Sequence, residues 1–148
     1  MLKNGEPTYK LPKTKFENYD FSFSGIKTAV INIAHKEKEN LRIDDMCASF
    51  ETTVCEELVS NAIRAMKDKK IKKIVLAGGV SANRLLRKML KEEATKNGFE
   101  AYMPDLKYCT DNAAMVGSAA YYNYINKKAY NIKEKLDLNA KANLKIGE

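Results

Sequence analysis

Three groups of residues in this sequence have types and spacings that could do chemistry. The first lies in the run IKKIVLAGGVSANR, residues 71–84. Ile74, Val75 and Leu76 form a continuous apolar run, the pattern of a short strand buried on both faces. Gly78 and Gly79 then remove two side chains where the chain must turn and where a ligand can approach the backbone. Ser81 is placed to cap a following helix, whose N-terminus presents backbone N–H groups and the positive end of its dipole. Such a corner suits the ribose or phosphate of a nucleotide. The glycines would admit the ligand and the Asn83 amide would hydrogen-bond it. A tight strand-to-helix turn with no ligand is the competing reading of Gly-Gly alone.

The second group is Tyr108-Cys109-Thr110-Asp111-Asn112. The Asp111 carboxylate could ligate a metal or cap a helix; one carboxylate does not make a metal site. The single histidine, His35, has no neighbour at ligand spacing and reads as a surface residue. The third group is Phe21-Ser22-Phe23-Ser24-Gly25, better read as a packed turn with a capping serine. No Ser–His–Asp set is present, and Cys109 has no adjacent base to make it a nucleophile.

The elements that must hold these residues follow from periodicity. Residues 1–20 are polar, with Pro7 and Pro12 and no helical period, and read as an extended arm. Ser24 is placed to cap a helix with Ile26, Ala29, Val30, Ile33 and Ala34 on one side. Residues 44–66 carry Met46, Phe50, Val54, Leu58 and Ala62 at every fourth position, continued by Ala65 and Met66. Asp44 and Asp45 at its start and Lys67 to Lys70 at its end match the dipole. Glu51, Glu56 and Glu57 read as its solvated face. A strand over 71–77, a helix from 82 to about 96, a second strand over 99–103 and a last helix from 111 to about 127 follow. Asn97-Gly98 ends the third helix, and the last helix is rich in small residues from Ala113 to Ala120. Two strands joined through a helix predict a parallel pair. Two strands make a poor sheet for this many helices, so the chain reads as part of an α/β domain. Its segments are an arm at 1–20, a helical part at 21–70, a strand-helix-strand-helix core at 71–127 and an extended tail at 128–148.

Composition narrows the setting. The 148 residues suit one domain, and a hydrophobic fraction of 45% is ordinary for a globular protein. No apolar run is long enough to span a membrane and the N-terminus lacks a signal-like h-region, so the expected address is cytoplasmic. Three cysteines without C-x-x-C spacing read as reduced thiols. A net charge of +7, from 26 Lys and Arg against 19 Asp and Glu, favours polyanionic partners such as tRNA, although Lys-rich surfaces also serve solubility.

Four strings occur in order: DFSFSGIKTAV, VLAGGVSANRLLR, YCTDNAAMVGSAAY and LDLNAKANLKIGE. Together they resemble the C-terminal half of the TsaD family, the tRNA adenosine threonylcarbamoyltransferases, once labelled O-sialoglycoprotein endopeptidases. The resemblance runs from about Tyr9 to Glu148. It implies an incomplete C-terminal lobe of the actin, Hsp70 and sugar-kinase superfold. It also implies transfer of threonylcarbamoyl from threonylcarbamoyl-adenylate to the anticodon-adjacent adenosine of tRNA. Gly78 and Gly79 match the turn along the adenosine, and Asn83 matches the substrate-binding asparagine. Asp111 matches the aspartate ligand of an iron or zinc ion that acts as a Lewis acid. The family's H-x-x-x-H ligands and its phosphate-contacting loop do not occur in this chain. The isolated chain is therefore expected to be inactive. By the same resemblance, other threonylcarbamoylation proteins are expected partners. Alternatives from other classes are a metallopeptidase, as the older label says, and a non-catalytic nucleotide-binding or self-associating module.

Overall fold

The structure, a computed structural model, describes residues 5–14 and 16–126. The proposed tail at 128–148 lies outside the described residues. Contacts divide the chain into two units at Thr110 and Asp111.

In the first unit, residues 5–14 and 16–23, ahead of helix α1 (Ser24–Glu37), form an extended arm without regular structure. Most of its hydrogen bonds to other elements go to helix α2 (Ile43–Asp68). Asp45, Ser49, Thr53 and Glu57 recur every fourth residue of α2, and all four are buried. The Glu6 amide donates to Asp45 Oδ1 at 3.0 Å and the Thr8 hydroxyl to Oδ2 at 3.1 Å. The Tyr9 amide donates to Ser49 Oγ at 3.0 Å, and the Thr14 amide to Glu57 Oε1 at 2.7 Å. A strand-like segment with no strand beside it must satisfy its N–H groups elsewhere, and the polar stripe of α2 does this. Glu57 is therefore not on a solvated face: the arm covers it. Gly5 is required by close approach, since a Cβ there would lie 2.0 Å from the Asp44 carbonyl oxygen. Further along, the Arg64 guanidinium donates to the Phe16 carbonyl at 3.0 Å and the Asn18 carbonyl at 2.6 Å. It also lies 5.1 Å from the centre of the Tyr19 ring.

Leu11 of the arm, Ile26 of α1 and Met46 of α2 form a small apolar cluster. Ser24 does not cap α1 as expected: it is the first residue of the helix, Phe23 holds the cap position and no side chain caps the end.

The main core joins Cys55, Val59, Ile63 and Met66 of α2 to Leu86, Leu90 and Ala94 of helix α3 (Arg84–Lys96). This line differs from the expected stripe, and Phe50 is 43% exposed. The reason is that α2 is covered on two sides, by the arm and by α3, so no single apolar stripe describes it.

Strands β1 (Lys73–Val75) and β2 (Glu100–Tyr102) pair in parallel, with Ile74 opposite Ala101 and Val75 opposite Tyr102. Parallel pairing across α3 is as expected. Both strands are shorter than predicted. Ile74, Leu76, Ala101 and Met103 pack on the core. Val75 is 71% exposed and Tyr102 is 48% exposed. The apolar run of β1 is thus covered on one face only, because the first unit has no layer over the other.

The second unit holds helix α4 (Ala113–Ile125). Asn112 caps it, accepting the Met115 amide at 2.9 Å. Within this unit Met115, Val116, Tyr121, Tyr122, Tyr124 and Ile125 are exposed. No described helix is long and apolar enough to cross a membrane.

Candidate ligand corner beyond the strands

In parallel α/β sheets, ligand sites lie beyond the carboxyl ends of the strands. At that end β1 gains one more rung, the Leu76 amide donating to the Tyr102 carbonyl at 2.9 Å. The chain then reaches Gly78, with φ 84° and ψ 176°. This backbone region is essentially open to glycine alone, so Gly78 is fixed by conformation. Gly79 begins a 3-10 turn ending at Ala82. A Cβ at Gly78 or at Gly79 would meet nothing within 4 Å, so open space lies beside both.

Ser81 does not cap α3. It is fully buried, and its hydroxyl and amide both donate to the Gly78 carbonyl, at 2.6 and 3.0 Å. It closes the turn on itself. The cap is Asn83, whose Oδ1 accepts the Leu86 amide at 2.8 Å. The 3-10 turn uses up 79–82, which moves the helix start two residues beyond the predicted position. Asn83 Nδ2 donates to Glu51 Oε1 on α2 at 2.7 Å. The Cys55 thiol donates to Asn83 Oδ1 at 3.8 Å. Burial pushes the Cys55 thiol up to about 11, with the Glu51 and Glu56 charges adding to the shift. Cys55 is therefore a protonated donor at neutral pH and not a nucleophile.

One residue of this corner escaped the reading of the sequence. Arg87 donates through Nη1 to the Ser81 carbonyl at 2.9 Å and through Nη2 to the Pro104 carbonyl at 2.8 Å. Nη1 also lies 3.7 Å from Cys109 Sγ, and that thiol donates to the Asp105 carbonyl at 3.6 Å. A single guanidinium thus braces the loop after β1 against the loop after β2. The available signal was its position: Arg87 lies one helical turn beyond Asn83.

Gly78, Gly79 and Asn83 come together in this corner. Asp111 belongs to the second unit, where it is exposed and leaves the capping role to Asn112. Among the described residues no group of three or more His, Cys, Asp and Glu side chains converges as a metal site. A lone exposed carboxylate does not by itself fit a metal centre. His35 is exposed, as expected.

A family model described as TsaD, tRNA N6-adenosine threonylcarbamoyltransferase, matches residues 1–118. The chain belongs to this family. A tRNA N6-adenosine threonylcarbamoyltransferase of Clostridium botulinum is 45% identical over 151 residues, covering 99% of this chain and 43% of that protein. Proteins of the same name from Caldicellulosiruptor saccharolyticus and Clostridium perfringens are 45% and 46% identical, covering 81% and 94% of this chain. They are covered over 37% and 41% of their own lengths. The chain thus spans less than half of these TsaD relatives. The two parallel strands with their helices are a partial α/β arrangement of the actin-like TsaD fold.

Proposed function

We propose that this chain supplies one wall of the ligand cleft of a tRNA N6-adenosine threonylcarbamoyltransferase. The observation that carries this reading is the braced Gly78-Gly79 turn beyond two parallel strands, in a chain of the TsaD family. The open space beside both glycines takes the adenosine part of threonylcarbamoyl-adenylate. Asn83 Nδ2 carries two hydrogens; Glu51 takes one, and the second is directed to a ligand oxygen. Arg87 holds the two loops at fixed separation, so the wall is preorganised.

Asp111 contributes one carboxylate to an iron or zinc ion whose other ligands come from the part of the relatives that this chain does not span. tRNA is the acceptor, other threonylcarbamoylation proteins are the partners, and the cytosol is the compartment.

The test is a transfer assay with threonylcarbamoyl-adenylate labelled in its threonine and with tRNA. The 148-residue chain alone is expected to leave the tRNA unlabelled. The same sequence joined to the segment its relatives carry ahead of it is expected to label it. In that longer protein Asp111→Ala is expected to lose metal and activity together. Labelling by the chain alone would overturn the shared-cleft reading, and full activity of Asp111→Ala would remove Asp111 from the site.

A further inference from the structure

A lysine-rich surface lies at the other end of the strands. From the last turn of α2 to the first residue of β1 the sequence places Lys67, Lys69, Lys70, Lys72 and Lys73 around a single acid, Asp68. All are exposed. The Asp68 carboxylate is already engaged, accepting the Tyr19 hydroxyl at 3.0 Å. Lys73 lies 3.9 Å from Glu100; the other four lysines have no carboxylate within 4.0 Å among the described residues.

Cations at a helix C-terminus offset its dipole, and that accounts for Lys67 and Lys69. It does not account for Lys70, Lys72 and Lys73, which lie beyond the end of α2. The backbone gathers these lysines. Lys70 adopts φ 56°, in the left-handed region, and the Ile71 amide donates back to the Met66 carbonyl at 2.9 Å. This reversal turns Lys67, Lys70 and Lys72 onto one open hollow of about 480 Å³, shared with Asn97 and Phe99. The Lys72 ammonium lies 5.4 Å from the centre of the Phe99 ring. Several unpaired ammonium groups around one concavity repel one another, and an anion with closely spaced charges relieves that repulsion.

We propose that this hollow, built by Lys67, Lys70 and Lys72, is a docking surface for an RNA phosphate backbone. The choice of RNA over another polyanion rests on the proposed transfer to tRNA. The surface surrounds the residues that precede β1 and β2, whereas the ligand corner follows them. Its contact is therefore to backbone, independent of the reacting base, and serves to orient the acceptor.

The experiment measures binding of a fluorescent tRNA transcript to the 148-residue chain over a range of salt, without threonylcarbamoyl-adenylate. Lys67→Ala/Lys70→Ala/Lys72→Ala is compared with a charge-matched control, Lys10→Ala/Lys27→Ala/Lys36→Ala, on the arm and α1. The hollow variant is expected to bind about tenfold more weakly near 0.1 M salt and to flatten the slope of log affinity against log salt by about 2. The control is expected to change the slope by less than about 1. Equal losses in both variants would reduce the effect to net charge and overturn the proposal. So would absence of tRNA binding at low salt, or equally tight binding of poly-L-glutamate, which would point to an acidic protein. A failed transfer assay with patch-dependent tRNA binding would remove the proposed activity alone; transfer with unchanged binding by the hollow variant would remove this surface alone.

Discussion

The Asn83 amide meets three neighbours, the Cys55 thiol among them. Its Oδ1 caps α3 through the Leu86 amide, and its Nδ2 reaches across to Glu51 on α2. Loss of an N-cap costs about 1 kcal/mol, whereas serine caps nearly as well as asparagine. Asn83→Ser is too short to reach Glu51 or a ligand and yet still caps. It is expected to leave the urea midpoint of the chain nearly unchanged, while Asn83→Ala lowers stability by about 1 kcal/mol. In the longer protein both variants are expected to bind threonylcarbamoyl-adenylate poorly. Normal ligand affinity in Asn83→Ser would leave Asn83 with a capping role only. That a helix begins near SANR was legible; that Asn83 and not Ser81 would cap it was not. The choice depends on the 3-10 turn, where the buried Ser81 hydroxyl finds the Gly78 carbonyl before it can find a helix amide.

At the scale of elements, two braces hold the molecule's working parts. One is the arm on the polar stripe of α2; the other is Arg87 between the two loops. A lysine at position 87 offers a compact ammonium that cannot span the Ser81 and Pro104 carbonyls as a planar guanidinium does. Arg87→Lys is expected to lower stability by about 1–2 kcal/mol, from one charged hydrogen bond lost. Hydrogen exchange should quicken in both loops, 77–83 and 103–110. Faster exchange in only one would argue against a brace between them. Helix and strand types were legible from period and glycine placement. The polar stripe was not: its partners lie about 40 residues away in sequence, as Glu6 to Asp45 and Tyr9 to Ser49 illustrate. Polar residues at helical spacing read the same whether water or a distant chain segment covers them.

Across the first unit as a whole, folding sorts the three thiols. Cys55 and Cys109 are buried and Cys47 is exposed. One fast-reacting thiol, Cys47, is therefore expected on titration of the native chain with an aromatic disulfide, and all three after denaturation. Cys55 also links stability to pH. Its folded pKa of about 11 lies above the ordinary value of 9.0, so the folded chain holds a proton that the unfolded chain releases between them. That contribution is complete below pH 9.0 and is lost as pH rises toward 11. The urea midpoint should fall over this window and fall less in Cys55→Val; identical slopes would remove Cys55 as the cause. By itself the sequence determined the TsaD resemblance, the order of helices and strands, the parallel pair and the Gly-Gly corner. These depend on local period, on backbone freedom at glycine and on strings of residues read in order. Only the tertiary structure decided which polar groups were structural, that Arg87 joins the loops, that one sheet face stays open and that three lysines share a hollow. Each of those depends on which distant residues the folded chain brings within hydrogen-bond or van der Waals reach.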